Sequence, residues 1–293
     1  MKEALISCVI PTYKRSETLT RAIDSVLSQT YPNMEVIVVD DNNPDDEYSQ
    51  YVRTLIADNY ANEPRVRYLA QEKHINGAVA RNFGVAHADG EYVAFLDDDD
   101  EWRPEKVRRQ ADYLNAHPEV GGVTCLYSIY RNGEVIGGLK PYDSENLQLK
   151  VLSRQVSMST PTFMGRKDLM VQSGLFDPTL LRHQEIQFFT DFLNVASIEP
   201  INEDLVKVHA DSEINRPNLE KLIGVKEAFF KSVEKTIAKY DKKTQRKIRN
   251  AHHFEVIYVA LRQKRLGIAF KYVFKIGFSV RAYIDVFKRY RSR

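Results

Sequence analysis

In the first hundred residues, short apolar runs rich in β-branched residues alternate with stretches whose apolar positions recur every three or four residues. Residues 5–10 and 34–40 are runs closed by proline or by Asp and Asn, the pattern of strands buried on both faces. Between them, Ser16 and Glu17 precede a segment in which Leu19, Ile23, Val26 and Leu27 share one face, which predicts a helix. Residues 66–69 and 92–96 predict two further strands, with a helix over 76–88 between them. Such alternation implies an α/β fold with a mostly parallel sheet covered on both faces. Ligands of such sheets bind beyond the carboxyl ends of the strands. Residues 11–15, 40–46 and 97–101 are therefore expected to meet at one edge.

The pattern is less regular from 123 to 208. Residues 123–130 predict a strand, Asn132-Gly133 a hairpin, Phe176-Asp177-Pro178 a turn, and 184–195 a helix. After Pro217 the chain reads as helical almost throughout, with Leu219, Leu222, Val225, Phe229, Val233 and Ile237 on one amphipathic face.

Charge sharpens this division. The net charge of the 293 residues is only +2, but residues 1–215 hold 21 basic against 34 acidic side chains, or −13. Residues 216–293 hold 21 against 6, or +15. The asymmetry predicts an acidic body (1–215) and a basic helical region (216–293) with an anionic partner. No nucleic-acid motif accompanies the basic charge, so nucleic acid is not the expected partner. Two cysteines, Cys8 and Cys125, cannot form a disulfide framework and suit a reducing compartment. The apolar run before Pro11 is too short for a signal-peptide core, and no stretch of about 18 apolar residues would cross a membrane. A cytoplasmic protein, peripheral on the inner face of the membrane, is the expectation.

The most informative segment is Phe95-Leu96-Asp97-Asp98-Asp99-Asp100-Glu101-Trp102. Five successive acids after a buried strand repel one another and call for a counter-cation. Carboxylates are the hard ligands that Mg²⁺ or Mn²⁺ prefers, its remaining positions going to water and phosphate.

Ile6-Ser7-Cys8-Val9-Ile10-Pro11-Thr12-Tyr13-Lys14-Arg15 resembles the opening strand and nucleotide loop of the GT-A-fold, family 2 glycosyltransferases of the bacterial polysaccharide type. Gln29-Thr30-Tyr31-Pro32, Glu35-Val36-Ile37-Val38-Val39-Asp40-Asp41-Asn42, Asn76-Gly77 with Ala80-Arg81-Asn82-Phe83-Gly84, and Asp89-Gly90-Glu91-Tyr92 continue the likeness in order into the acidic D-x-D region. It covers residues 4–115 well and runs more loosely to 210, which divides the body into a nucleotide-sugar half (1–115) and an acceptor half (116–215).

The resemblance implies that Pro11, Tyr13 and Asp41 form a base pocket, with an aromatic ring to stack and a carboxylate to accept a ring N–H. Arg15 and Arg81 would reach the diphosphate or the base, arginine being suited to bidentate phosphate contacts. Asp97 and Asp98 would hold the ribose and the metal's waters. Asp99 would bind a Mn²⁺ or Mg²⁺ that bridges the phosphates, with His209 as a further metal contact. Relatives usually place an Asp at a helix start after a Phe-Asp turn; here Glu185 takes that place as the base, a departure that lengthens the reach by one methylene, with Asp191 as the alternative. The other six histidines, lacking partners at ligand spacing, read as surface or packing residues.

The implied activity is metal-dependent, inverting transfer of a sugar from a nucleotide-sugar donor, UDP-sugar favoured, to a glycan or lipid-linked acceptor, as in surface polysaccharide synthesis. The oligomeric state, monomer or homo-oligomer, stays open. A sugar-nucleotide pyrophosphorylase would share the layered fold but should show a glycine-rich loop after the first strand, and residues 11–15 hold no glycine. A non-enzymatic peripheral membrane protein would explain the tail but not the acidic run. In the tail, Phe270, Tyr272, Val273, Phe274, Ile276, Phe278, Tyr283, Phe287 and Tyr290 are mixed with seven basic residues between Lys271 and Arg293. A basic helix of this kind suits an anionic leaflet or, alternatively, packs its apolar face on the body.

Overall fold

The computed structural model describes residues 3–15, 17–210 and 218–276. Its first half is β1 (Ile6–Thr12), α1 (Leu19–Leu27), β2 (Met34–Asp40), α2 (Glu47–Tyr60), β3 (Val66–Ala70), α3 (Gly77–His87) and β4 (Tyr92–Phe95). The four strands are parallel in the order β3-β2-β1-β4. Alternate residues face opposite sides, so Ile6, Cys8, Ile10, Val36 and Val38 join one core with α1 and α2, while Val9, Ile37 and Val39 join a second with α3. Burial on both sides is why these strands read as unbroken apolar runs. Helix α3 lies close on the sheet because Gly84 has no side chain. A Cβ there would stand 2.3 Å from Val9 Cγ1.

The second half continues the sheet through β5 (Glu101–Trp102), α4 (Lys106–Ala116), β6 (Gly122–Arg131), β7 (Glu134–Gly138), α5 (Leu147–Leu152), a 3-10 turn at Thr160–Thr162, β8 (Met164–Arg166), α6 (Lys167–Gln172), α7 (Gln184–Phe192) and β9 (Ile198–His209). Only the first four strands are uniformly parallel. Strand β8 runs antiparallel to both β4 and β6, β5 antiparallel to β9, and only β6 and β9 are parallel here. Parallel neighbours need a helical crossover, and the path into β8 supplies only the short α5 and a 3-10 turn. The expected hairpin joins β6 to β7, with Asn132 at φ 49° and Gly133 at φ 80°, the left-handed pair a two-residue turn requires. Phe188, Phe189 and Phe192 of α7 meet Phe163 edge to face, and Phe176 stacks on Phe188.

The C-terminal region forms α8 (Leu219–Ser232), α9 (Glu234–Ile237), α10 (Lys242–Arg262) and α11 (Leu266–Ile276). Leu219, Leu222, Val256, Ala260, Ala269, Tyr272 and Ile276 make a core of their own. A second cluster of Phe229, Val233, Ile237 and Ile248 closes on Leu152 of α5, with Ile186 of α7 against it, so these helices are docked on the body. The expected face of α8 is seen with one exchange: Val225 is half-buried, and Lys226 takes the buried position. On α11 one face packs inward, while Leu266, Phe270 and Phe274 are 57, 62 and 70% exposed. The rest of the tail, with Phe278, Tyr283, Phe287, Tyr290 and five of its basic residues, lies outside the described residues. Among the described residues no helix is long and apolar enough to cross a membrane.

His252 bolts α10 to the body. It is fully buried, and its Nε2–H donates to the carbonyl of Leu152 at 2.9 Å. Burial first, then the nearby Lys226 charge, holds its pKa well below the usual histidine value. Below about pH 6.5 the unfolded chain gains a proton that the folded one refuses, so stability falls as pH drops. The slope is about 1.4 kcal/mol per pH unit for each such histidine. Urea midpoints measured at pH 7.5, 6.5 and 5.5 should fall along the series, and fall less in His252→Gln. An equal fall in both proteins would show that His252 is protonated in the fold.

Candidate active site

Strands β1 and β2 end level, with Thr12 opposite Asp40, while β4 stops three residues earlier, with Phe95 opposite Val9, and the residues after it run on to Thr12. The segments that follow them gather at one edge, as the alternation predicted. Pro11, Thr12, Tyr13, Arg15, Asp41, His74, Gly77, Arg81 and Asp97–Asp99 line a cavity of about 270 Å³. A second cavity, of about 340 Å³, is lined by Arg81, Asp97, Tyr127, Ser157–Thr160 and Glu185. Arg81 and Asp97 belong to both.

Each polar residue is held by its local structure. Asp40 is structural: it accepts from Asn42 N–H, Ser49 and Tyr68 at 2.9, 2.8 and 2.7 Å and so ties the loop down. Asp41 lines the cavity, but its carboxylate already accepts Ile75 N–H at 3.2 Å and faces His74 Nδ1 at 3.0 Å. Burial raises its pKa. His74 in turn stacks on Tyr13, with ring centroids 3.7 Å apart and 11° between planes. His74 is thus a wall of the cavity, which corrects its reading as a surface or packing residue. Its neighbours in sequence gave no signal, because the contact spans 61 residues.

Helix α3 organises the shared wall. Asn76 caps it, accepting from Ala78 and Val79 N–H at 3.0 and 3.1 Å. Asn82 pairs with the backbone of Phe176. Arg81 reaches Asp97 Oδ1 at 2.6 Å and Gln184 Oε1 at 3.4 Å. Arg81 is thus ion-paired with Asp97 in the wall that the two cavities share.

The acidic run is crowded as expected. Asp98 accepts from Thr12 Oγ1 at 2.7 Å, and Asp99 from Arg15 at 2.9 Å, while Arg21 donates to the Asp99 carbonyl at 2.5 Å. Burial, reinforced by the charges of Asp97 and Asp99, pushes Asp98 up to about 7. Asp99 is raised chiefly by burial and then by Asp97. Asp100 points away from both cavities, accepts His209 N–H at 3.0 Å, and is raised to about 9 chiefly by burial. Carboxylates strained in this way fit a hard divalent cation held by one or two of them and completed by phosphate and water. Among the described residues no group of three or more His, Cys, Asp or Glu side chains forms a closed metal cage. His209 lines neither cavity; its Nε2 lies 3.5 Å from Glu101.

Glu185 stands in the first turn of α7, after His183 in the left-handed conformation, and opens into the second cavity. Asp191, two turns on, lines neither cavity and accepts from Gln187 Nε2 at 2.8 Å. The structure thus brings Pro11, Tyr13, Arg15, Asp41, Arg81, Asp97, Asp98, Asp99 and Glu185 together, and leaves Asp191 and His209 outside.

Residues 7–172 match the family model described as Glycosyl transferase family 2. The chain is 37% identical over 192 residues to the amylovoran biosynthesis glycosyltransferase AmsB of Erwinia amylovora, covering 63% of this chain and 62% of that one. An uncharacterized glycosyltransferase of Rickettsia felis is 28% identical over 216 residues, 73% of this chain but 34% of its own length. The chain thus spans about a third to two thirds of these relatives. Among solved structures, S. aureus TarS 1–349 (TM-score 0.59, 18% identity, 98% of this chain and 91% of that one) shares the fold. So does the mannosyltransferase PcManGT of Pyrobaculum calidifontis, solved with GDP-Man and Mn²⁺ (TM-score 0.60, 18% identity, 98% and 79%).

If Tyr13 is the stacking surface of the first cavity, Tyr13→Ala should weaken UDP or GDP binding by about tenfold, near 1.4 kcal/mol, within the range for loss of one base–aromatic stack. Titration calorimetry with each nucleotide reads this. Unchanged affinity for both would place the base elsewhere.

Proposed function

The chain belongs to glycosyl transferase family 2, and from that premise we propose that it moves a sugar from a nucleotide-sugar donor to a glycan or lipid-linked acceptor, as in surface polysaccharide synthesis, with inversion at the anomeric carbon. The observation that carries this reading is the pair of cavities sharing Arg81 and Asp97. One offers an aromatic wall and acids for a nucleoside diphosphate; the other offers hydroxyls and a carboxylate. A UDP-sugar is the favoured donor.

In this reading the nucleotide stacks at Tyr13 and His74. Asp99, with Asp97 and Asp98 beside it, would hold a Mn²⁺ or Mg²⁺. Bound there, that cation supplies positive charge for the departing diphosphate. Arg15, now paired with Asp99, stands within reach of the same phosphates. Glu185 accepts the proton of the acceptor hydroxyl as that oxygen attacks the anomeric carbon. The electron pair of the breaking C–O bond leaves with the diphosphate. A single base and no protein nucleophile give one displacement, and hence inversion. The glycine-free β1 loop speaks against the pyrophosphorylase reading.

The exposed apolar stripe of α11, together with Leu261 at 52%, sits among Arg262, Lys264, Arg265, Lys271 and Lys275. We assign this face to an anionic membrane surface, which would bring the site to a lipid-linked acceptor on the cytoplasmic leaflet.

Release of nucleoside diphosphate from a panel of UDP- and GDP-sugars, with an acceptor extract, tests the activity. Turnover should vanish in EDTA and in Asp99→Ala, and return to the wild type with Mn²⁺ or Mg²⁺. Full activity in EDTA would remove the cation from the reading.

Glu185→Gln keeps shape without basicity, so turnover should drop at least about a hundredfold while nucleotide affinity holds. Asp191→Asn should stay within a few-fold of wild type. The reverse pattern would move the base to Asp191.

The full chain should sediment with anionic but not neutral vesicles, and salt should weaken it, each nearby basic residue contributing about 1 kcal/mol. Leu266→Gln with Phe270→Gln should abolish sedimentation. Equal binding by that variant would free α11 of the role.

A further inference from the structure

Lys226 is 3% exposed, in the middle of α8. Its ammonium has three protons and three partners: His183 Nε2 at 2.7 Å, His252 Nδ1 at 3.2 Å and Glu255 Oε2 at 2.5 Å. Because His252 Nε2 donates to the Leu152 carbonyl, its Nδ1 carries the lone pair that faces Lys226. Arg154, just after α5, reaches the same Glu255 oxygen at 3.0 Å. Phe229 stacks on His252 and meets His183 edge on. This buried polar cluster ties four pieces of chain together, α8, α10, the end of α5 and the residue that starts α7.

That residue is under strain. His183 has φ 63° and caps α7 without a side-chain hydrogen bond to the helix. A non-glycine residue holds the left-handed conformation only where its surroundings impose it. Here the side chain is drawn into the C-terminal helices by Lys226, which fixes the direction in which α7 begins. Gln184 follows, in contact with Arg81, and then Glu185. The first turn of α7 is thus pinned from one side by the shared wall of the cavities and from the other by Lys226. The ammonium also senses the Glu185 charge. An apolar trio would glue this seam as firmly, since buried ionic groups repay their desolvation poorly. What directional bonds add is a single orientation.

We propose that Lys226 is a positioning residue for the transfer reaction: through His183 it fixes the first turn of α7 and so places Glu185 against the acceptor hydroxyl. The proposal rests on Glu185 being the base. It makes the basic C-terminal helices part of the catalytic apparatus.

The test uses the full chain and whichever of UDP-glucose, UDP-N-acetylglucosamine or GDP-mannose the wild type turns over. Lys226→Met should lower kcat at least tenfold with donor KM within twofold. In a Glu185→Gln background the same change should cost nothing further, because Lys226 acts through Glu185. Hydrogen exchange of the peptide covering 183–192 should quicken, and that of β1 and β2 should not. If Lys226→Met does not fold, His183→Gly, which permits the backbone angle and removes the anchor, should give the same kinetic and exchange pattern. Wild-type kcat in a folded Lys226→Met, or an equal loss in both backgrounds, overturns the proposal. Full turnover by Glu185→Gln alone overturns the base reading instead, and the exchange data then judge the anchor separately.

Discussion

Three parallel strands that are buried on both faces must all end where their burial ends. The pairing of Thr12 with Asp40 ends β1 and β2 together, and β4, which stops at Phe95 opposite Val9, is followed by residues that run on to the same edge, where Asp98 meets Thr12. Backbone that leaves the sheet there has lost its ladder partners, so the loops satisfy themselves with short polar side chains. Asp40 does this for the β2 loop, binding Asn42, Ser49 and Tyr68. The acids after β4 are brought to the same place and take their partners from other segments: Arg81 for Asp97, Thr12 for Asp98 and Arg15 for Asp99. Their crowding at a half-dry edge raises Asp98 and Asp99, and the nearest relief is Arg15 from the β1 loop. Register in the sheet is therefore what sets the electrostatics of the site.

Those electrostatics decide what can enter. Asp97, Asp98 and Asp99 face the first cavity with Arg15 and Arg81 already engaged in ion pairs. A diphosphate brings further negative charge into a region that disfavours it. It must come with positive charge of its own or draw Arg15 off Asp99. Arg81 is held differently, between Asp97 and Gln184, and its distance to Asp97 of 2.6 Å makes it a fixed wall.

The parallel half of the sheet was legible because β1, β2 and β4 are buried on both sides and bounded by turn residues, so run length and ending carry the signal. Asn132-Gly133 was legible because the left-handed angles of its turn restrict the residue types. In the second half the strand β6 and the helix α7 were legible too, but strand direction in β8 depends on the path of residues 139–163, and periodicity says nothing about paths. His74 escaped because its meaning lies in contacts with Tyr13 and Asp41, far away in sequence. Lys226 escaped for a subtler reason. A helical wheel ranks Val225 above a lysine for the buried face, and only three acceptors from other elements make the lysine the better occupant. Asp191 and Glu185 could not be separated by spacing; the helix turns one towards the cavity and the other towards Gln187.

The charge asymmetry gains a physical sense from the docking of the helices. A basic region merely tethered to an acidic body would be drawn to it without preference of orientation, since exposed charges act weakly and are screened. Here orientation comes from buried contacts: the apolar cluster around Leu152 and the bonds of Lys226 and His252. Surface charge is then spare, and it lies beside the exposed apolar stripe of α11. The inner side of the same helices holds the start of α7. A region that grips the body this firmly on one side can present the other to an external surface without losing register with the site. Binding there would set the direction in which the second cavity opens, because no flexible joint intervenes between α10 and α7 through His252, Lys226 and His183.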